Sequence, residues 1–136
     1  MENFVVPSED LSNKECPLAV IKCVDFRFRK SDQEFVEEGL GFKDFDMYAW
    51  PGSAKEVLKD NGFKKSLVEK VVAVSKNLHN VKKVLLLWHC DNSEESCQKN
   101  LQTAKDLLTK DLPADMEIIL AYSKISPQGL EYIVLE

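Results

Sequence analysis

The sequence predicts an α/β domain: a doubly wound, mostly parallel sheet flanked by helices, with an antiparallel edge strand at the C-terminal end. Three observations carry that expectation. Short apolar runs alternate with amphipathic segments, the pattern of repeated strand–helix–strand units. One run, Val84 to Trp88, is apolar at every position, as a central parallel strand covered on both faces must be. A chain of 136 residues with 44% hydrophobic and 30% charged side chains suits a single domain over residues 1–136 with one hydrophobic core.

Taken in order, Leu18 to Cys23 follows Pro17 as a compact apolar run and reads as the first strand. Ser31-Asp32-Gln33-Glu34 has the form of a capping box and opens a helix that Gly39 closes. Phe45 to Trp50 reads as a second strand, stopped by Pro51-Gly52. A second box, Ser53-Ala54-Lys55-Glu56, starts a short helix to about Asp60, where Asn61-Gly62 breaks it. Phe63 to Leu78 keeps helical spacing through Phe63, Leu67, Val68, Val71, Val72 and Leu78. After the central strand, Glu94 to Lys110 forms a helix with Leu101, Ala104, Leu107 and Leu108 inward. Met116 to Tyr122 and Leu130 to Leu135 are strands, and Ser126-Pro127-Gln128-Gly129 between them suits a hairpin.

The net charge of −5 argues against nucleic acid as a partner, because no basic face dominates. The lysine pairs Lys64-Lys65 and Lys82-Lys83 sit among acids and read as solvated faces. Residues 1–7 lack the basic and apolar regions of a signal peptide. No run approaches the ~20 apolar residues of a membrane span. A cytoplasmic setting is therefore expected, and with it Cys16, Cys23, Cys90 and Cys97 as free thiols, metal ligands or a nucleophile.

In open α/β sheets, ligands bind beyond the carboxyl ends of the strands. Three segments reach that place: Cys23-Val24-Asp25-Phe26-Arg27, Trp50-Pro51-Gly52-Ser53 and Trp88-His89-Cys90-Asp91-Asn92. The spacing of Cys23 to Arg29 also fits a phosphatase loop. Such a loop wraps phosphate with backbone N–H groups, and Asp25, Phe26 and Phe28 suit it poorly.

Cys23-Val24-Asp25-Phe26-Arg27 resembles the Cys-x-Asp-x-Arg motif of the β-class carbonic anhydrases, and His89 resembles the histidine of their His-x-x-Cys motif. The resemblance runs from about Leu18 to the C-terminus and includes the turn Pro51-Gly52-Ser53-Ala54. It implies a β-carbonic-anhydrase-like doubly wound sheet and a zinc lyase interconverting carbon dioxide and bicarbonate. In that reading Cys23 and His89 bind zinc, which makes hydroxide available near neutral pH. Arg27 would hold the Asp25 carboxylate away from the metal, and Asp25 would accept a hydrogen bond from the bound hydroxide. The resemblance also implies a homodimer.

The sequence departs from that pattern at two positions. Asn92 stands where the second cysteine is expected, and Trp88 where the family usually has glycine. An amide oxygen is a poor zinc ligand beside a thiolate, so zinc is expected to be held weakly or not at all. Asn92 also suits the start of the next helix. Cys90 would replace the missing ligand only if the chain bends, since in an extended segment it faces away from His89. Cys97 shares a helix face with Leu101 and Ala104 and reads as a buried structural thiol, Cys16 as inert, and His79 as stabilised by a helix C-terminus. Asp25 and Arg27 could equally be an ordinary surface pair. Two functions follow: a zinc lyase with an altered metal site, or a zinc-free homologue that binds a ligand or serves a structural role.

Overall fold

The computed structural model describes residues 2–8, 11–59 and 61–136. Five strands form one sheet in the order β2-β1-β3-β4-β5. They are β1 (Leu18–Cys23), β2 (Asp46–Trp50), β3 (Lys83–His89), β4 (Glu117–Ser126) and β5 (Gly129–Leu135). β1 pairs in parallel with β2 and β3, β3 pairs in parallel with β4, and β5 returns antiparallel to β4. The hairpin expected at Ser126 to Gly129 is therefore present, and β4 runs four residues past Tyr122 to supply its first arm.

The helices are α1 (Arg29–Glu34), α2 (Ala54–Val57), α3 (Phe63–Lys70) and α4 (Glu94–Asp111). α1 and α3 each continue into a wider π-type turn, Phe35–Gly39 and Val71–Lys76. Central β1 and β3 bury residues on both faces, which is why their sequences run apolar rather than alternating. Ala19, Ile21, Val84, Leu86 and Trp88 face a large core closed by α2, α3 and α4. Leu18, Val20, Leu85, Leu87 and Ala121 face a smaller one with Val36 of the turn after α1.

Helix starts differ from the sequence expectation. α1 begins at Arg29 with no side-chain cap, so Ser31 and Asp32 lie inside it, and Asp32 is buried. Ser53 precedes α2 but makes no cap bond; its φ is +34° and its hydroxyl is buried without a partner. Ser93, not Asn92, caps α4 by accepting from the Ser96 amide at 3.2 Å. Asp60, the expected end of the second helix, lies outside the described residues; the helix itself ends at Val57. His79 sits beyond a helix end, and its Nδ1 is 2.8 Å from Asp46 Oδ2, so a carboxylate partner holds it as well as the helix terminus.

Candidate functional site

Because β1 and β3 lie side by side in parallel, their carboxyl ends open into the same space. The turn after β2, where Gly52 takes φ +75°, joins them. A cavity of about 360 Å³ results, and Cys23, Asp25, Arg27 and His89 all line it. Ser53, Lys55, Trp88, Cys90, Asp91 and Ser123 complete its polar and sulfur-bearing wall. Arg29 is not among the lining residues; it starts α1 instead. Arg29 lines a separate cleft with Lys22 and Asp32, which does not suit a phosphatase loop built on Cys23.

Asp25 caps a short 3-10 turn, Phe26–Phe28, by accepting from the Arg27 amide at 3.0 Å. The Arg27 side chain then folds back on the same carboxylate, with Nη2 donating to Oδ2 at 2.7 Å and Nε to Oδ1 at 3.1 Å. The Arg27 side-chain hydrogen bonds, then its backbone one, bring the Asp25 carboxyl down to about 2. Asp25 and Arg27 are therefore paired at two points in an exposed position.

His89 stands in a buried polar cluster. Its Nδ1 lies 2.5 Å from Ser123 Oγ, its ring stacks on Phe28 with centroids 3.9 Å apart, and Nε2 lies 3.2 Å from Asp32 Oδ2, off the hydrogen-bonding line. Asp32 is 1% exposed and accepts from the Tyr132 hydroxyl at 2.5 Å. The same carboxylate is in ion-pair contact with the buried Lys22 ammonium at 2.7 Å. Burial alone would raise the Asp32 carboxyl, but the contacts from His89, Lys22 and Tyr132 outweigh it and hold the pKa below its ordinary value. Burial and the neighbouring Asp32 push the Tyr132 hydroxyl well above its usual range.

The sulfur atoms lie elsewhere. Cys90 and Cys97 are joined in a disulfide, with Cα atoms 5.9 Å apart. The expectation of free thiols is therefore corrected for this pair. The cause is local: β3 ends beside the start of α4, and a short turn brings the two positions within bonding reach. Cys97 does pack with Leu101 and Ala104, as its helix face requires, but as half of that bond. Cys90 is thus not available as a third ligand. Cys16 and Cys23 are free, and burial raises the Cys16 thiol above its usual pKa.

Strand alternation divides these groups. Cys23 follows Ile21, and Cys90 follows Trp88, toward the α2–α4 core; His89 follows Leu87 toward α1. Asn92 is exposed and does not line the cavity. Among the described residues no three His, Cys, Asp or Glu side chains converge as metal ligands. The donor set in this arrangement does not supply the three convergent protein ligands that a catalytic zinc takes beside its bound water.

Sequence reading did not find Lys22, Asp32, Ser123 or Tyr132. One signal was present: a lysine inside the apolar run Leu18 to Cys23 must find a buried counter-charge.

Three comparisons place the chain. The sheet resembles the crystal structure of β-carbonic anhydrase isoform I from the protozoan Trichomonas vaginalis, with a TM-score of 0.56 over 93% of this chain and 88% of that one. At 12% identity, that likeness concerns the fold. No curated protein matches by sequence. A family model described as "Putative carbonic anhydrase" matches residues 13–123, most of the chain, and the protein belongs to that family.

Proposed function

We propose that this carbonic-anhydrase-like protein uses its cavity to bind a small planar anion without a resident metal. The placement of His89 carries the reading. One ring nitrogen faces the Ser123 hydroxyl and the other faces the Asp32 carboxylate, whereas strand alternation turns Cys23 toward the other face of the cavity that both line. A neutral imidazole has one N–H and one lone pair. The Ser123 hydroxyl engages Nδ1, and the Asp32 carboxylate stands 3.2 Å from Nε2, so a metal at the ring would have to displace one of these neighbours. An anion finds Arg27, Lys55 and Lys124 in the wall against Asp25 and Asp91, and apolar Phe28, Leu130 and Ile125 exclude water around it. Bicarbonate is the first anion to test, given the family.

The experiment pairs elemental analysis with calorimetry on protein purified without chelator. Substoichiometric zinc, slow carbon dioxide hydration and saturable bicarbonate binding are expected. One tightly held zinc per chain, with efficient hydration abolished by Cys23→Ser, would overturn the reading.

That outcome would favour the second reading, a zinc lyase interconverting carbon dioxide and bicarbonate. Its support is the Asp25–Arg27 pair, in which the guanidinium holds the carboxylate at two points.

The working form is proposed to be a cytoplasmic homodimer. The edge strand β2 exposes Met47 and Trp50 to the extent of 54% each, and pairing would cover them. Light scattering that gives a monomer mass over a wide concentration range would rule the dimer out. None of the described helices is long and apolar enough to cross a membrane.

A further inference from the structure

The disulfide has a role to assign beyond any metal question. Cys90 is half-exposed and lines the cavity, whereas Cys97 is 1% exposed beneath the first turn of α4. A thiol entering the cavity can therefore reach one sulfur of the pair and not the other. The hidden sulfur sits in the first turn of an 18-residue helix and packs in the apolar core with Leu101 and Ala104. Two acids occupy the same turn, and one of them, Glu94, accepts from the Tyr122 hydroxyl at 2.8 Å and pairs with the Lys124 ammonium at 3.1 Å. Exchange runs fastest when the attacked sulfur is open and the leaving sulfur is a stabilised thiolate. Access sets the direction here: an entering thiol meets Cys90 and not Cys97.

We propose that Cys90–Cys97 is a thiol-exchange site, with Cys90 the attacked sulfur, Cys97 the leaving group and a low-molecular-weight thiol the substrate class. The substrate thiolate forms a new S–S bond to Cys90 Sγ as the Cys90–Cys97 bond breaks, and the electron pair leaves on Cys97 Sγ. The product carries a mixed disulfide on Cys90, within the cavity, and one additional thiol at Cys97. Return attack by Cys97 on Cys90 Sγ expels the substrate as its thiolate and restores the original bond. Neither direction requires an added oxidant or reductant.

Opening also touches the cavity mouth. The turn between the two cysteines carries Asp91, whose carboxylate is 3.2 Å from Lys55 Nζ of α2. The disulfide thus anchors one side of an ion pair that spans β3 and α2, and an adduct on Cys90 occupies space beside it.

The test uses the full chain, purified in air, with glutathione as the probe. Before exposure, alkylation in denaturant should count two free thiols, Cys16 and Cys23. After a short native incubation quenched with acid, intact mass should show one glutathione added and a third free thiol. Peptide mapping should put the adduct on Cys90 and the new thiol on Cys97. Mapping on the wild-type chain does not depend on any variant folding. As a second arm, Cys90→Ser should lose the adduct completely. An adduct on Cys97, four free thiols before exposure, or no adduct where the unfolded chain exchanges fully would each overturn the proposal.

Discussion

The two faces of the sheet meet at one cavity but are built from opposite materials. Toward α2 and α4 the core is large and apolar, its buried sulfur belongs to a disulfide, and the charged pair Lys55–Asp91 stays at the surface. Toward α1 the core is small, and Lys22, Asp32, His89, Ser123 and Tyr132 complete it with charge and hydrogen bonds. A helix of six residues and one wide turn cannot cover enough apolar surface to hold that face alone. Polar closure is workable but brittle, because removing one member strands the others away from water.

The largest expected effect follows from that brittleness. Asp32→Ala leaves the Lys22 ammonium buried and unpaired, and should destabilise the chain by ~3–5 kcal/mol in urea unfolding at neutral pH. A loss below about 1 kcal/mol, the range of surface pairs, would mean that Lys22 reaches water and the faces are not differently built. The pH dependence has a definite sign. Asp32 titrates lower in the folded chain than in the unfolded one. Its contribution is therefore present at neutral pH, and falls away as pH drops from the ordinary value of 3.8 through the depressed one. The urea midpoint of wild type against Asp32→Asn across that window checks it.

Reducing the disulfide should cost less. For cysteines seven residues apart, loop-closure entropy gives about 2.5 kcal/mol. Unfolding with and without reductant measures it, and Cys90→Ser should reproduce the reduced value. No difference would show that the α4 side does not depend on its sulfur bridge.

Asn92→Cys sharpens the comparison further. The family pattern places a thiolate at this position, yet Asn92 is exposed outside the cavity lining. Zinc affinity by calorimetry should stay within a few-fold of wild type. A rise of a hundredfold would mean that the β3–α4 turn can swing its donor across to His89. The substitution also spares the helix cap, which belongs to Ser93. The smallest effect is expected from Arg27→Ala: no resolvable change in Tm, but an Asp25 carboxyl that moves from about 2 back toward 3.8 in an NMR titration.

How much of this was legible depended on range along the chain. The strands and their order of appearance follow from apolar runs and turn residues, which are local signals. The cavity followed too, since strand ends in a parallel sheet open to one side, and Cys23, Asp25, Arg27 and His89 all reached it. Asp32 was hidden because Ser31-Asp32-Gln33-Glu34 satisfies the capping pattern without using it; the helix starts two residues earlier. Cys90–Cys97 was hidden by the expectation of a reducing compartment. Ser123 and Tyr132 carry no local mark; the pairing of β3 with β4 sets Ser123 beside His89, and that of β4 with β5 brings Tyr132 to Asp32.

The hydrogen bond between Tyr132 and Asp32 joins residues 100 apart in the sequence, and this sets an order of assembly. Closing so long a loop comes after the local contacts of β1, α1 and β3 have formed. The carboxylate can meet Lys22, ten residues away, early, but it gains its Tyr132 hydrogen bond only when the last strand docks. Tyr132 should accordingly have a φ-value near zero, with Tyr132→Phe speeding unfolding and leaving the folding rate unchanged. A polar cluster completed last works as a latch: it adds nothing to how fast the chain finds its fold, and governs how long the fold lasts.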